Sequence, residues 1–196
     1  MSPYASIDRP SVFSSATAAS LPVWAVSPAD IENGNLADAA LAWAKAAGFQ
    51  AAAGAVLLVP GQDGKLAGAL FGLGEEGQSH PFIAGKLAQA LPRGDWHIET
   101  SPIPGATMAL AFGMGAYRFE SYRKAAPEGP RLAIPQDTDA DAIQRTVAAV
   151  WLARDLVNTP ANDMGPDALE AAFRGLAGHY KAKVSVVAGD DLISQG

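Results

Sequence analysis

Two apolar runs joined by a tight turn constrain the fold most strongly. Residues 54–59 (GAVLLV) form a continuous apolar run that ends at Pro60 and Gly61. A run of this kind is typical of a strand that is buried on both faces. A second run, residues 66–73, follows the turn PGQDG, so the two runs predict a β-hairpin. The sequence therefore places a sheet in this part of the chain.

Strand and helix patterns alternate along the first two thirds of the chain. Further strands are predicted over residues 21–26, 96–103, 107–112 and 131–134, and helices over residues 35–47, 81–91 and 115–124. The first helix carries Leu36, Ala40, Trp43 and Ala47 on one face, with Gly48 as its C-terminal stop. Short connections between alternating elements predict an α/β fold, with a mixed sheet flanked by helices.

A polar and acidic segment, residues 135–141 (PQDTDAD), divides the chain. A helix is predicted to start after it, with Thr138 or Asp139 as N-cap and with Ile143, Val147 and Trp151 on its buried face. We predict an N-terminal domain over residues 1–135, of which residues 1–20 are a loose leader. Residues 136–141 are then a linker, and residues 142–196 begin a second α/β domain.

The predicted second domain contains few elements. They are a helix over residues 166–180, with Leu169, Phe173 and Leu176 as its apolar stripe, a strand over residues 183–187, and a helix capped by Asp190 and Asp191. A single strand cannot satisfy its own backbone hydrogen bonds. Either this strand joins the first sheet, or the chain is a piece of a longer protein.

Composition excludes several classes of function. The chain has no Cys, which rules out disulfide scaffolds, thiolate zinc sites and cysteine nucleophiles. Its formal net charge is −6, which disfavours nucleic acid and anionic membranes as partners. The longest apolar run, residues 51–59, is well short of the roughly 20 residues that span a bilayer. These features predict a soluble, cytoplasmic protein.

Three sets of residues partly match the patterns of known ligand sites, but none of them completes its pattern. The glycines of Gly113-Met114-Gly115 would begin a dinucleotide fingerprint, but Arg118 stands where the third glycine is required. Asp137–Asp141 has the opening spacing of a calcium loop, yet position 142 is Ala rather than Gly. The three histidines, His80, His97 and His179, have no metal-ligand spacing among them. The chain thus offers no complete catalytic motif of its own.

Residues 151–166 (WLARDLVNTPANDMGP) resemble the opening of the catalytic domain in the leucine aminopeptidase, or cytosol aminopeptidase, family. In that family a helix ending in Ala-Arg-Asp/Asn-Leu-Val-Asn leads to a Pro-x-Asn turn and a second helix. The matching residues here are 153–158, then Pro160 and Asn162, then Pro166. The resemblance extends over about residues 54–196, including the Gly113–Phe119 stretch.

The resemblance implies a macro-domain-like N-terminal domain followed by the start of a peptidase domain. It implies that the full-length enzyme releases N-terminal residues from peptides with two divalent metals, Mn or Zn, and assembles as a hexamer. The family's metal ligands align beyond Gly196, so no catalytic or metal-binding residue is carried over to this chain. This segment is then expected to be inactive alone and to serve as scaffold and oligomer contact.

Five residues are the candidates for fixing the junction between the two domains: Trp151, Leu156, Asn158, Pro160 and Asn162. An ordinary helix stripe followed by a turn accounts for the same five positions. An alternative function remains open, because a macro-like module binds ADP-ribose or another phosphate ligand at a glycine-rich loop over a helix N-terminus. Residues 72–77 or Gly113–Gly115 would form that loop.

Overall fold

The computed structural model describes residues 12–77, 80–123 and 127–195. The described residues form two compact units, residues 12–151 and residues 152–195. The first unit contains the sheet and most of the helices. The second contains the end of one long helix and two further helices. Nothing in this division tests the predicted linker, and the predicted domain boundaries stay a prediction.

A six-stranded mixed sheet forms the first unit. Its strands are β1 (Phe13–Ser14), β2 (Leu21–Val26), β3 (Val56–Pro60), β4 (Leu66–Gly72), β5 (Asp95–Thr100) and β6 (Arg131–Ala133). They lie in the order β1-β6-β5-β2-β4-β3. All neighbours are parallel except β3 and β4, which form the predicted antiparallel hairpin. The predicted α/β class and mixed sheet are confirmed.

Helices cover both faces of this sheet, and each face has its own apolar core. The helices of the first unit are α1 (Pro28–Asn33), α2 (Asp38–Ala46), a 3-10 helix (Pro81–Lys86) that continues as α3 (Leu87–Ala90), α4 (Gly105–Gly115) and the first turns of α5 (Ala140–Asn158). The larger core surrounds Phe71, Trp96 and Phe112. The smaller core lies between α1, α2 and the β3–β4 side of the sheet, around Val26 and Leu70.

Two predictions around residue 110 are wrong. Residues 107–112, predicted as a strand, belong to helix α4, where Met108, Ala109 and Phe112 are fully buried. An apolar run that is buried on every side has no period that separates helix from strand. The helix predicted over residues 115–124 does not form within the described residues, because Gly115 ends α4 and residues 117–120 are irregular. Residues 124–126 lie outside the described residues.

Three other predictions need smaller corrections. Strand β3, predicted to be buried on both faces, is an edge strand whose Leu58 is 40% exposed. Helix α2 begins at Asp38 rather than at residue 35, because the backbone N–H of Asn35 donates to Asp30 O and closes α1. Within the segment predicted as a leader, Phe13 and Ser14 form β1, while residues 1–11 lie outside the described residues.

The second unit contains the end of α5, helix α6 (Pro166–His179) and helix α7 (Asp191–Gln195). Both new helices begin where they were predicted. The strand predicted over residues 183–187 is wrong, because these residues pair with no strand of the described structure and are exposed. The predicted apolar stripe of α6 is not buried either, since Phe173 is 57% exposed. A strand and an amphipathic helix both need a neighbour that this unit does not provide.

Candidate functional site

Trp151 is the most firmly held of the candidate junction residues. It follows Ile143 and Val147 at four-residue spacing on α5, and all three are buried against the larger core. The Trp151 indole Nε1 donates to the backbone oxygen of Gly113 at 2.9 Å, and both groups are buried. Its ring meets Tyr117 edge-on, with the ring centroids 6.1 Å apart. Trp151 thus fixes the middle of α5 on α4.

The two glycines of Gly113-Met114-Gly115 serve packing. A Cβ atom at Gly113 would lie 2.6 Å from Val147 Cγ2 and 2.7 Å from Phe13 Cζ. A Cβ atom at Gly115 would collide with the backbone of Gly85 in the 3-10 helix. These positions are inside helix α4 and face neighbouring elements. The phosphate loop considered for this segment is therefore not formed.

The other glycine-rich loop, residues 72–77, is also unsuited to phosphate. A Cβ atom at Gly72 would collide with the backbone of Ala51 and Ala52, so this glycine permits close packing. The loop then presents two carboxylates, Glu75 and Glu76, which repel an anion. Residues 78 and 79 lie outside the described residues.

The start of α1 is occupied by a carboxylate of the protein itself. Asp30 Oδ2 accepts hydrogen bonds from the backbone N–H of Ser27 at 2.8 Å and from its hydroxyl at 2.7 Å. These bonds lower the pKa of Asp30 below its ordinary value, the backbone bond contributing most. This capping box fills the position where a helix N-terminus would receive a phosphate oxygen. The geometry does not favour the ADP-ribose alternative.

Beyond Trp151 the candidate residues lie on a helix end and a turn. Leu156 is half-buried, whereas Asn158, Pro160 and Asn162 are exposed. The Pro160 carbonyl accepts from the backbone N–H groups of residues 163 and 164, both at 2.9 Å, which forms the turn before α6. These four residues thus lie next to one another at the end of α5 and in the turn that follows it. Their role at a domain junction stays a prediction.

The sequence reasoning missed two buried polar residues in this segment. Asp155 and Thr159 are 5% and 9% exposed, whereas Asn158 and Pro160 on either side of Thr159 are exposed. The Thr159 hydroxyl donates to the backbone oxygen of Asp155 at 2.7 Å and so satisfies one of the last carbonyls of α5. Their four-residue spacing was visible in the sequence, but it did not reveal their burial.

The described residues do not fit a two-metal centre. Two bound cations need several converging carboxylate or imidazole ligands, and no three such side chains converge in residues 12–77, 80–123 or 127–195. The pair His97 Nε2 and Glu99 Oε2, 2.9 Å apart, is partly open to solvent on β5. Within the same ranges, no helix is both long enough and apolar enough to cross a membrane.

The chain matches known proteins over most of its length. The model of the M17 aminopeptidase N-terminal domain matches residues 21–135. A probable cytosol aminopeptidase from Corynebacterium efficiens is 32% identical over 95 residues, which cover 43% of this chain and 19% of the relative. The chain therefore spans about a fifth of that curated relative's length.

Solved structures extend the similarity beyond the N-terminal domain. The crystal structure of cytosol aminopeptidase from Coxiella burnetii superposes with a TM-score of 0.83 at 28% identity, over 94% of this chain and 41% of that one. The bottromycin maturation enzyme BotP in complex with Mn has the same fold, with a TM-score of 0.67 at 24% identity, over 90% of this chain and 40% of that one. The resemblance noted in residues 151–166 is thus confirmed at the level of the family. The chain belongs to the M17 aminopeptidase family and carries its N-terminal domain.

Proposed function

We propose that this chain is the N-terminal part of a two-metal aminopeptidase that releases N-terminal residues from peptides. In this proposal residues 1–135 are scaffold, residues 142–196 begin the catalytic domain, and the catalytic site lies in a part of the protein outside these 196 residues. The observation that carries the proposal is the match of residues 21–135 to the family's N-terminal domain. The match to only 41% of the Coxiella burnetii chain supports the same division.

The metals of the parent enzyme belong to this proposal as well. We assign it two divalent cations, Mn or Zn, and the manganese complex of BotP supports Mn as a metal of this fold. The described residues of this chain offer no ligand set for these cations. When bound, such cations would polarise the peptide carbonyl and activate water. The residues described here would position the domain that binds them.

The exposed apolar side chains of the second unit support the proposal that it is part of a larger catalytic domain. Its exposed apolar side chains include Leu169 and Phe173 on α6 and Leu192 and Ile193 on α7. An amphipathic helix normally packs this stripe against a core. In the proposed parent enzyme, the rest of the catalytic domain covers it.

Two further properties complete the proposal. The parent enzyme would form a homohexamer to which the N-terminal domain contributes contacts, as the resemblance implies. It would act in the cytoplasm, which the name of the Corynebacterium efficiens relative supports. Peptides would be its substrates, and neither nucleic acid nor a membrane would be a partner. Light scattering on the full-length parent would test the hexamer.

An assay of the purified 196-residue chain tests the location of the chemistry. Leucine 4-nitroanilide is incubated with the chain in the presence of Mn²⁺, of Zn²⁺ or of a chelator. We expect no turnover above the chelated sample, while the Coxiella burnetii enzyme is active under the same conditions. The proposal would be contradicted by metal-dependent turnover that co-elutes with the chain in a second chromatographic step.

A hybrid enzyme tests the scaffold role. Residues 12–135 of this chain replace the matching part of the Coxiella burnetii enzyme, and a second hybrid also carries Phe112→Ala in the core. We expect the first hybrid to fold and cleave the anilide, and the second to be less stable and to lose activity. If Phe112→Ala leaves the activity unchanged, an intact N-terminal core is not required, and the scaffold role is wrong.

A further inference from the structure

Strand β3 is one edge of the sheet and pairs only with β4 among the described strands. An edge strand carries unpaired N–H and C=O groups that can pair with a strand of another molecule. β3 is also apolar and Leu58 is 40% exposed, which makes the strand suited to such pairing. Whether this edge can add a strand therefore depends on which of its outward backbone groups are free to bond.

A β-bulge sets which backbone groups face outward. Gly54 N donates to Gly72 O, and Gly72 N donates to Ala55 O, both at 2.8 Å. Gly54 has a φ of +80°, as the first residue of a glycine bulge requires. The bulge leaves Ala55 as the residue whose backbone groups bond inward to β4. Every second residue after Ala55 then does the same.

The alternation gives the outer edge of β3. Leu57, opposite Leu70, and Val59, opposite Gly68, bond inward. The backbone groups of Val56 and Leu58 therefore face away from the sheet. The register shifts after Val59, but Gly61 N donates inward to Lys65 O at 2.7 Å, so the backbone carbonyl of residue 60 also faces outward. Residue 60 is a proline and has no N–H to offer.

Trp43 occupies the centre of this edge. Its indole Nε1 donates to the Leu58 backbone oxygen at 3.0 Å, which is one of the outward groups. The sequence placed Trp43 on one face of α2 with Ala40, and the residue is 40% exposed, whereas Ala40 is buried. The hydrogen bond satisfies an edge acceptor with a side chain of the same molecule.

We propose that Trp43 and Pro60 together close the β3 edge and prevent it from pairing with β3 of a second copy of this chain. Trp43 takes the acceptor of Leu58 and places a ring over the centre of the edge. Pro60 removes the donor at the next outward position. Proline and an obstructing side chain are two ways in which proteins block strand addition.

The main test replaces Trp43 by Phe, which keeps an aromatic ring and removes the donor, alone and together with Pro60→Val. Self-association is measured by sedimentation across a concentration series of the full chain. We expect association about tenfold tighter in Trp43→Phe than in the unaltered chain, because one strong edge acceptor is released. The double variant, which also regains a donor, should associate more tightly still.

Hydrogen exchange locates the contact. Peptides that contain β3 should become protected with rising concentration in both variants, and peptides from α6 and α7 should not. Phe82→Leu is the control, because Phe82 is 41% exposed but lies in the 3-10 helix rather than in β3. This control should associate no more than the unaltered chain.

The proposal is overturned if the double variant sediments like the unaltered chain, or if the protection appears outside β3. Circular dichroism reports whether Trp43→Phe folds. If Trp43→Phe does not fold, the test uses Pro60→Val with Trp43 intact, which should self-associate more tightly than the unaltered chain. A measurable increase in association with protection of β3 supports the proposal, and unchanged sedimentation overturns it.

Discussion

The two units of this chain differ in how they treat their apolar side chains. In residues 12–151, Trp96, Phe71 and Phe112 are completely buried between the sheet and its helices. In the described residues from 152 onward, no apolar side chain is buried, and Phe173 and Ile193 are 57% and 87% exposed. Each unit contains an amphipathic helix, α2 in the first and α6 in the second. The difference therefore lies in what each helix has to pack against.

This contrast predicts that only the first unit is stable alone. Burying one large apolar side chain contributes about 1.5–3 kcal/mol, and the first unit does this many times over. The end of α5, α6 and α7 gain little of this stabilisation. Isolated helices of this length are marginal in water without tertiary packing. We therefore expect the second unit to depend on the rest of a catalytic domain.

The largest expected effect comes from a matched pair of phenylalanines. Phe112→Ala should lower the free energy of unfolding by about 3–5 kcal/mol, because it leaves a cavity in the larger core. Phe173→Ala should change it by less than about 0.5 kcal/mol, as a surface substitution does. All four tryptophans, residues 24, 43, 96 and 151, lie in the first unit. Urea unfolding followed by tryptophan fluorescence therefore reports on that unit, and far-ultraviolet circular dichroism follows the helices of the second. A loss of stability in Phe173→Ala equal to that in Phe112→Ala would contradict the comparison.

A pair of glycines gives the next effect, with opposite signs in the two units. A Cβ atom at Gly115 would lie 2.6 Å from the Gly85 carbonyl carbon, so Gly115→Ala should destabilise the first unit by about 3 kcal/mol. A Cβ atom at Gly175, inside α6, meets nothing within 4 Å. Gly175→Ala should thus favour the helix by about 0.5–1 kcal/mol. Fluorescence measures the first change and far-ultraviolet circular dichroism the second; a stabilising Gly115→Ala would contradict the packing described.

The indole hydrogen bonds of two tryptophans give a smaller effect. Trp151→Phe leaves the buried oxygen of Gly113 without this donor and should cost about 2 kcal/mol. In the control, Trp43→Phe, the released Leu58 oxygen is exposed and water replaces the donor. We expect the control to cost less than about 1 kcal/mol in dilute urea titrations. Equal costs would mean that the bond to Gly113 does not fix α5.

The smallest effect concerns the capping box of α1 and depends on pH. Ser27→Ala should cost about 1 kcal/mol near neutral pH. Because Ser27 lowers the pKa of Asp30, the stability that this pair contributes is complete above about pH 4 and is lost as the pH falls through the lowered pKa. The variant keeps the backbone N–H of residue 27, which contributes most to the lowered pKa of Asp30, and loses only the bond from the hydroxyl. Titration of unfolding from pH 7 to pH 2 should therefore narrow the difference in stability between the variant and the original chain by the share that the hydroxyl contributes. Ser194→Ala in α7 is the control, and a gap that widens at low pH would contradict the assignment.

Sequence patterns predicted the elements whose cause is local. The hairpin followed from two apolar runs and a turn, and α6 followed from Pro166 and a regular stripe. Helix α4 was mistaken for a strand, because an element buried on all sides loses its period. The edge position of β3 could not be predicted in this way, because it depends on the order of strands from distant parts of the chain.

The candidate site shows the same limit. The motif in residues 151–166 identified the family, since it is a local pattern of residue types. It could not show that Trp151 bonds to Gly113, which lies 38 residues away in the chain. Nor could it show that Gly113 and Gly115 are packing positions, because their neighbours Val147 and Gly85 come from other elements.

Hydrogen exchange along the unaltered 196-residue chain tests the central contrast most directly. Amides in β2, β4, β5 and α4 should exchange slowly, by opening of the whole first unit. Amides in α6 and α7 should exchange faster by orders of magnitude, since no apolar core holds these helices. Equal protection of α6 and of β4 would contradict the account, because it would show that the second unit is stable without the rest of a catalytic domain.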